Sequence, residues 1–381
     1  MSHLNYLEKL LDGVEVKTKS LGSIATITIG EFVRKDKQDP SAKYPVFNGG
    51  TSNTGYYDQF NNSGNKIIVS ARGANAGYVN KTSKPYWAGN SCYSIGIKNI
   101  SEVNWRYVYY FLKNAENKLI GEQQKGGIPA VSKKQMEEFQ IPIPCLDNPE
   151  KSLAIQAEVV RILDAFTAMT AELTAELNMR KKQYSHYQFE LLKFTETNQQ
   201  LTIGECCYIN KGATPIKKAT PGKYPLVATT EERQSSSEYQ FDCPAVCVPL
   251  ISSRGHGVAS IDRIYYQDGK FALGNILCAI TPKDSEVLSA KFLRYYLFDK
   301  KDVLLVPLMR GGANVSLTMD SLKKVKIPIP PIAEQQRIVR ALDKFDEFVK
   351  ALPREIELRQ KQYEYYRDLL LSFPNQEKMT V

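Results

Sequence analysis

The chain has 381 residues, of which 43% are hydrophobic, and it carries a formal net charge of +9. This length and apolar content suffice for two domains with separate cores and exclude a largely disordered chain. The positive charge favours an acidic partner, and the sequence has no window of about 18 apolar residues, so we expect no membrane-spanning segment.

The N-terminus shows no signal-peptide pattern, and the seven cysteines are odd in number and irregularly spaced. We therefore expect a protein of the reducing cytoplasm. Cys206, Cys207, Cys243 and Cys247 offer a zinc site as an alternative. Adjacent cysteines rarely bind one tetrahedral ion together, and no histidine accompanies them, so we expect no metal.

Residues 1–150 are predicted to form a first globular domain of mixed α and β structure, because strand-like runs dominate it. Its landmarks are a strand entry, an Arg-Gly segment, a Gly-Asn step, paired tyrosines in a helix, a basic glycine turn and an Ile-Pro-Ile-Pro segment. In chain order they are Lys43-Tyr44-Pro45, Arg72-Gly73, Gly89-Asn90, Tyr109-Tyr110, Lys125-Gly126-Gly127 and Ile141-Pro142-Ile143-Pro144.

Residues 151–196 are predicted to form a long helical spacer. Apolar residues from Ile155 to Leu177 recur about every 3.5 residues and form one seam along the helix. At 1.5 Å per residue, residues 154–194 would reach roughly 60 Å.

Residues 197–331 are predicted to form a second mixed domain, because the same landmarks return in the same order. They are Lys223-Tyr224-Pro225, Arg254-Gly255, Gly274-Asn275, Tyr295-Tyr296, Arg310-Gly311-Gly312 and Ile327-Pro328-Ile329-Pro330. A second helical spacer is predicted over residues 332–373, followed by a tail at residues 374–381.

The two predicted helices are copies of each other. Residues 154–194 align without a gap with residues 333–373, and 17 of the 41 positions are identical, so a unit was duplicated. Because each helix carries an apolar seam, we expect the two to pack together. Two amphipathic helices that each pack on their own domain are the alternative, and Pro353 predicts a kink or a restart at Leu352-Pro353.

Charge separates the helices from the globular halves. Residues 154–194 contain five basic and five acidic residues, and residues 333–373 contain eight of each. The excess positive charge therefore lies in the globular halves. Basic halves on neutral spacers favour nucleic acid as the partner, since neutralising phosphates releases counterions. A mildly basic protein without a nucleic-acid role is the alternative.

Eleven residues in or near the Arg-Gly segments and the glycine turns are candidates for DNA contact. Glycine lets the backbone approach a phosphate, and arginine donates to guanine or to phosphate oxygens. The two Arg-Gly segments are interpreted as equivalent positions of the two halves. Salt-bridged turns, helix capping and solvated loop side chains are the alternatives. The candidates are Arg72, Gly73, Asn75, Lys81, Lys84, Lys125, Arg254, Gly255, His256, Arg263 and Arg310.

Catalytic motifs are missing from the sequence. It has no Gly-x-x-x-x-Gly-Lys-Ser/Thr phosphate loop and no Asn/Asp-Pro-Pro-Tyr/Phe adenine-methyltransferase motif. Its three histidines have no convincing nucleophile partner in the sequence. We therefore expect a chain that is not an enzyme and holds no cofactor.

Two segments of the second copy carry a family resemblance. Residues 327–339 read Ile-Pro-Ile-Pro-Pro-Ile-Ala-Glu-Gln-Gln-Arg-Ile-Val, and residues 359–370 read Arg-Gln-Lys-Gln-Tyr-Glu-Tyr-Tyr-Arg-Asp-Leu-Leu. Both are similar to signatures of the specificity subunits of type I restriction-modification systems. The two-half plan covers essentially the whole chain.

The resemblance implies an α+β fold with two target-recognition domains, inverted about a pseudo-twofold axis and separated by two long helices in an antiparallel coiled coil. Each domain would recognise one half of a bipartite, asymmetric site in double-stranded DNA. The helices would set the spacer and dock two methyltransferase subunits, and restriction and translocase subunits would complete the complex. S-adenosylmethionine, ATP and magnesium would be bound by those partners, and this chain would be non-catalytic.

Two other functions compete with this one. The first is a structural adaptor that uses its paired helices to bind proteins without recognising DNA sequence, and the second is a nuclease or methyltransferase in its own right. Salt-dependent, sequence-selective DNA binding would distinguish the recognition subunit from the adaptor.

Overall fold

The computed structural model describes residues 9–121, 128–194, 199–230, 234–253, 261–311 and 314–373. The chain divides into two compact units. Unit 1 comprises residues 1–173 and 355–381, and unit 2 comprises residues 174–354. The sequence predicted helical spacers at residues 151–196 and 332–373, separate from the two domains; in the structure, part of each long helix belongs to each unit.

Unit 1 contains nine strands and the short helices that connect them, within the part of the chain described. The strands are β1 (Val16–Ser20), β2 (Ala25–Ile29), β3 (Tyr44–Phe47), β4 (Gly55–Tyr57), β5 (Lys66–Ser70), β6 (Val79–Thr82), β7 (Trp87–Ala88), β8 (Cys92–Ile97) and β9 (Gln140–Pro144). The helices are α1 (Leu21–Ile24), α2 (Trp105–Asn114), α3 (Glu116–Gly121), α4 (Lys133–Glu138) and the long α5 (Pro149–Leu191), which continues into unit 2.

Unit 2 has a similar set of elements. Its strands are β10 (Gln200–Thr202), β11 (Cys207–Lys211), β12 (Tyr224–Val227), β13 (Gln234–Ser236), β14 (Phe241–Asp242), β15 (Ala245–Pro249), β16 (Ile251–Ser253), β17 (Tyr265–Gln267), β18 (Lys270–Leu273), β19 (Leu277–Pro282), β20 (Arg310–Gly311), β21 (Asn314–Ser316) and β22 (Lys326–Pro328). Its helices are α6 (Ile203–Cys206), α7 (Ala290–Leu304), α8 (Met319–Lys323) and the long α9 (Ile332–Leu371), which ends in unit 1.

The two units have matching sheets. An antiparallel four-stranded sheet has the order β2-β8-β5-β6 in unit 1 and β11-β19-β15-β17 in unit 2. A second sheet contains one parallel pair in each unit, β3 with β7 and β12 with β18. The predictions of an α+β fold and of an internal repeat are therefore confirmed.

The Ile-Pro-Ile-Pro segments contribute to the last strand of each globular part, which is the part of a unit that precedes its long helix. All four residues lie in β9, whereas only Ile327-Pro328 lies in β22. Among the strands that the structure describes, β9 pairs only with β1 in unit 1, and β22 pairs only with β10 in unit 2. Proline is tolerated there because a strand with one neighbour has a free edge. The alternate residues Ile141 and Ile143 are buried, and so is Ile327. These ladders place the first and last strands of each globular part side by side.

Each unit has one main apolar core, to which both long helices contribute. In unit 1, Leu163 of α5 and Leu370 of α9 are buried in the same core as the tyrosines of α2. In unit 2, Ile338 and Leu342 of α9 are buried together with Leu192, which directly follows α5. Both long helices therefore help to complete both cores.

The long helices pack on each other in antiparallel orientation within each unit. In unit 1, Phe166 stacks on Tyr366 with ring centroids 5.2 Å apart. In unit 2, Tyr187 stacks on Phe345 at 5.2 Å, and Arg180, earlier in α5, lies over the ring of Phe348, later in α9. The prediction that the helices pair is confirmed. The predicted restart at Pro353 is wrong, because α9 continues through that residue.

A single proline removes only one backbone hydrogen bond, and both ends of α9 are anchored in a core. Among the described residues, no helix is long and apolar enough to cross a membrane.

Candidate nucleic-acid interface

In unit 1, the Arg-Gly segment follows β5 at one end of the four-stranded sheet. Arg72 is exposed and forms an antiparallel bridge with Ala130. Gly73 has a φ of +93°, which favours glycine, and its N–H donates to the carbonyl of Pro129 at 2.9 Å. The Arg-Gly segment therefore lies beside the residues that follow the predicted basic glycine turn.

Two further loops of unit 1 meet the Arg-Gly segment. The amide of Ala71 donates to the carbonyl of Ser91 at 2.8 Å, and the amide of Ser91 donates to Oδ1 of Asn48 at 3.0 Å. A Cβ on Gly49 would lie 2.5 Å from the carbonyl oxygen of Arg72, so this approach requires glycine. Four separate chain segments thus form one loop cluster at this end of the sheet.

Unit 2 repeats these contacts at equivalent residues. The amide of Leu250 donates to the carbonyl of Ile276 at 2.8 Å, as Ala71 does to Ser91 in unit 1. The amide of Leu317 donates to the carbonyl of Leu250 at 2.8 Å. The same loop cluster is therefore built twice, although few of its side chains are the same.

The pairing between strands shows that the two Arg-Gly segments are not at equivalent positions of the two units. In unit 2, Ile251 pairs with Ser316, and in unit 1, Arg72 pairs with Ala130. Ile251 therefore occupies the place of Arg72, and Arg254 follows three residues later. The interpretation of the two Arg-Gly segments as equivalent positions is wrong, because pairing between distant strands sets the register and local sequence does not.

Arg310 lies in β20, which pairs with β21, and β21 also pairs with β16. The predicted basic glycine turn of unit 2 is therefore joined to the loop cluster. The guanidinium Nη1 of Arg310 donates to the carbonyl of Pro307 at 2.7 Å, in the short 3-10 helix Val306–Leu308. The contact agrees with helix capping, which was one alternative to DNA contact for this residue. Arg310 is nevertheless exposed. DNA contact by Arg310 stays a prediction.

The remaining loop candidates divide between the two ends of the sheets. Asn75 is exposed and lies between β5 and β6, at the same end as Arg72. Lys84 is exposed and follows β6, which runs antiparallel to β5, so it lies at the opposite end. Arg263 is half-buried and precedes β17, which is antiparallel to β15. Arg263 therefore lies at the end of the four-stranded sheet where β15 is followed by β16.

Lys81 lies against the long helix. Its Nζ is 3.7 Å from Oδ1 of Asp164 in α5, and it lies 4.4 Å from the ring centroid of Tyr109 and 5.0 Å from that of Tyr110. Burial lowers the pKa of the Lys81 ammonium, and the positive charge of Arg106 lowers it further. These contacts favour a structural role for Lys81 over contact with DNA.

Four of the predicted DNA-binding residues lie outside the described residues. They are Lys125, Arg254, Gly255 and His256.

Two exposed asparagines in the loop clusters were not among the candidates. Asn90 directly precedes Ser91, which accepts the Ala71 amide, and Asn275 directly precedes Ile276 in the equivalent loop. Asparagine can both donate to and accept from a base edge. The signal was the repeated Gly-Asn step, which marked the repeat without suggesting a role.

The cysteines of unit 2 are not gathered into one group of metal ligands in the part of the chain described. The sulfur atoms of Cys206 and Cys207 lie 3.8 Å apart, and the sulfur of Cys243 lies 3.8 Å from the hydroxyl of Thr281. Among the described residues, no group of three or more His, Cys, Asp or Glu side chains could hold a metal ion.

A comparison with protein families also finds two matching parts in this chain. The model of the type I restriction modification DNA specificity domain matches residues 13–180 and again residues 195–358. This chain belongs to that family. Each match in the type I specificity family covers one globular part and most of the long helix after it, so the family domain and the compact unit divide the chain differently.

Relatives in the type I specificity family match over the full length. The specificity subunit of the Escherichia coli type I restriction enzyme EcoR124I/EcoR124II is 34% identical, and the alignment covers 100% of both chains. A putative type I restriction enzyme specificity subunit of Haemophilus influenzae is 32% identical, and the alignment covers 97% of this chain and 98% of that protein.

A solved structure agrees with the fold. The type I restriction-modification S subunit from Mycoplasma genitalium superposes with a TM-score of 0.68 at 18% identity, over 96% of this chain and 98% of that one. The fold of the type I specificity family is therefore retained at low sequence identity.

Proposed function

We propose that this chain is the non-catalytic DNA-recognition subunit of a type I restriction-modification complex, acting in the cytoplasm. Each globular part would recognise one half of a bipartite, asymmetric site in double-stranded DNA. The observation that carries this proposal is the loop cluster, which is built with the same backbone contacts in both units. The 34% identical relative from Escherichia coli is itself a specificity subunit.

The loop clusters supply suitable groups for base and phosphate contact. The cluster of unit 1 carries Arg72, Asn75 and Asn90, and all three are exposed. The cluster of unit 2 carries the exposed Asn275 and Arg310. Arginine and asparagine are the side chains that pair with guanine and adenine edges in the major groove. Because these side chains differ between the clusters, the two half-sites would differ in sequence.

The helix pair would set the distance between the half-sites. Two weak binding modules on a stiff connector bind together only when the spacing of their sites matches the connector, because the second binding event is then intramolecular. Selectivity would therefore have three parts: the two half-site sequences and the length of the unrecognised spacer.

The chemistry would belong to partner subunits. Two methyltransferase subunits would dock on the helices and bind S-adenosylmethionine, and restriction and translocase subunits would use ATP and magnesium. The specificity chain would hold none of these groups. This assignment agrees with a sequence that has no phosphate loop and no methyltransferase motif.

The test is to map methylated adenines in cells that express the methyltransferase subunit with and without this chain. We expect one bipartite motif that appears only with the chain. A matched pair of variants assigns the half-sites: Arg72→Ala should change methylation through one half-site, and Arg310→Ala through the other. A complex that forms while no methylated motif depends on this chain would favour the adaptor. Methyl transfer by the chain alone would contradict a non-catalytic subunit.

A further inference from the structure

Each long helix is attached to the globular part before it through a buried glutamine. In unit 1, Gln156 of α5 has no exposed surface. Its Oε1 accepts from the amide of Asn104 at 2.8 Å, and its Nε2 donates to the carbonyl of Glu102 at 3.0 Å. Asn104 is the N-cap of α2, and its side chain accepts from the amide of Arg106. The glutamine therefore holds the backbone at the start of α2.

An aspartate eight residues further along α5 forms a second attachment to α2. Oδ1 of Asp164 accepts from the hydroxyl of Tyr110 and from Nη2 of Arg106, both at 2.6 Å. Tyr110 is almost completely buried. Gln156 and Asp164, with these partners on and before α2, are called the first joint below.

The second joint repeats the glutamine contacts in unit 2. Gln335 of α9 is also fully buried. Its Oε1 accepts from the amide of Ser289 at 2.8 Å, and its Nε2 donates to the carbonyl of Val287 at 2.8 Å. Ser289 is the N-cap of α7, as Asn104 is of α2.

The second joint also repeats the aspartate contacts. Oδ1 of Asp343 accepts from the hydroxyl of Tyr295 at 2.9 Å, and Oδ2 accepts from Nζ of Lys291 at 2.6 Å. The repeat thus keeps the glutamine, the aspartate and the tyrosine, whereas the cation beside the tyrosine and the N-cap residue differ, and Lys81 lies near Asp164 in the first joint. One tyrosine of each pair in the sequence, Tyr110 in unit 1 and Tyr295 in unit 2, makes this contact.

The two attachments of a joint lie at different points along the helix, so a shift at one of them would rotate the globular part relative to the helix. Eight residues of helix separate them by about 12 Å. A slip of 1 Å at one attachment would turn the globular part by about 5°, which moves a loop 15 Å away by roughly 1.3 Å. That is a substantial part of the rise of one base pair, about 3.4 Å. Apolar packing is non-directional, whereas a buried amide left unpaired costs about 1–3 kcal/mol, so the glutamine adds a directional constraint to the packing.

We infer that the two joints fix the orientation of each recognition domain on its spacer helix, and that they thereby determine how sharply the complex discriminates spacer length. This inference rests on the proposed function. Gln156, Asp164, Gln335 and Asp343 act as positioning residues in this inference, and both glutamines have no exposed surface.

The test compares methylation of DNA duplexes with spacers of different length. The complex of this chain with its methyltransferase subunits is assayed on the best spacer and on spacers one base pair longer and shorter. In the variant Gln156→Leu with Asp164→Asn, the ratio of rates between the best and the altered spacers should fall about tenfold, while preference for the half-site bases is unchanged. The equivalent variant Gln335→Leu with Asp343→Asn should have the same effect.

The chain offers matched controls. Gln360→Leu makes the same substitution at an exposed residue of α9, whose amide donates only to the side chain of Glu364 among the bonds described, and it should keep the parental ratio. Arg106→Lys introduces the type of cation that the second joint contains, and this variant should also keep the parental ratio of rates. The Nε of Arg106 is buried without a hydrogen-bond acceptor, so the lysine forgoes no bond at that atom. Arg106→Leu should lower the ratio of rates between the best and the altered spacers.

The outcomes separate the inference from the function on which it rests. If the parental complex methylates no bipartite site, the proposed function fails. If the parent discriminates spacers and the double variants keep its ratio, the inference is overturned. A rate that falls equally on all spacers, with a lower melting temperature, would also overturn it, because that is the effect of a merely structural contact. Tyr110→Phe removes one hydroxyl only and tests the same ratio if a double variant does not fold.

Discussion

Lengthening both spacer helices by one turn should change the preferred DNA spacer and leave the half-sites unchanged. The insertions belong between Leu173 and Thr174 in α5 and between Arg354 and Glu355 in α9, where the chain passes from one unit to the other. Both points lie outside the joints and outside the stacked aromatic pairs, so the two cores keep their residues.

The size of the effect follows from helix geometry. Four residues add about 6 Å to a helix, and DNA rises about 3.4 Å per base pair, so the preferred spacer should lengthen by one or two base pairs. Four residues also turn the helix by about 400°, which is close to a full turn, so the apolar seams stay nearly in phase.

The assay is the methylation of duplexes that share the half-sites and differ in spacer length by single base pairs. The control replaces the four residues at each insertion point with the inserted sequence and keeps the length, and it should retain the parental spacer. Insertion into one helix alone should reduce methylation of every duplex, because it shifts one seam against the other. An unchanged spacer, or altered half-site bases, would refute the assignment of the helices as the element that sets the spacing.

Three further predictions concern the cores, the loop clusters and the joints. Leu163→Ala and Leu342→Ala remove equivalent side chains that have no exposed surface, and each should lower the free energy of unfolding by about 2–5 kcal/mol. Hydrogen exchange should rise first in unit 1 for Leu163→Ala and first in unit 2 for Leu342→Ala, and identical exchange patterns would contradict separate cores. Arg72→Ala should weaken binding of the complex to DNA. If Arg72 contacts a phosphate, the slope of log affinity against log salt should fall by about 1, and if it contacts a base, selectivity at one position should relax. An unchanged affinity and selectivity would remove Arg72 from the interface. Burial raises the pKa of Tyr110, and the hydrogen bond to Asp164 raises it further. The unfolded chain therefore loses this proton at lower pH than the folded chain. The contribution of Tyr110 to the free energy of unfolding is complete below pH 10. It falls by about 1.4 kcal/mol per pH unit as the pH rises above that value. Denaturant unfolding between pH 9 and pH 11 should show a shallower fall for Tyr110→Phe, and equal slopes would show that Tyr110 ionises alike in both states.

The features that could be predicted from the sequence are those that local periodicity or direct repetition encodes. The seam of α5, the copy of that helix in α9 and the recurrence of the Ile-Pro-Ile-Pro segments all belong to this class. Arg72 and Arg254 were aligned incorrectly because the match depends on hydrogen bonds between strands that are distant in sequence. Lys81 was taken for a loop residue because the rings and the carboxylate around it come from α2 and α5.

The division of the chain into units could not be derived from helix patterns. A continuous apolar seam shows that a helix is buried along one side, but not which core each stretch enters. Leu163 enters the core of unit 1, whereas Tyr184 of the same helix packs on the core of unit 2.

The two-stranded ladders β1–β9 and β10–β22 make each recognition domain an exchangeable cassette. Val16 lies opposite Pro144, and Gln200 lies opposite Pro328. Residues opposed across an antiparallel ladder are about 5 Å apart, so the chain enters and leaves each domain at nearly the same point. A foreign domain that closes with the same ladder and keeps the joint would be carried by the same helix at the same place. New DNA specificities could therefore arise by replacing one segment of the gene, with no change in the helices or in the proteins that bind them.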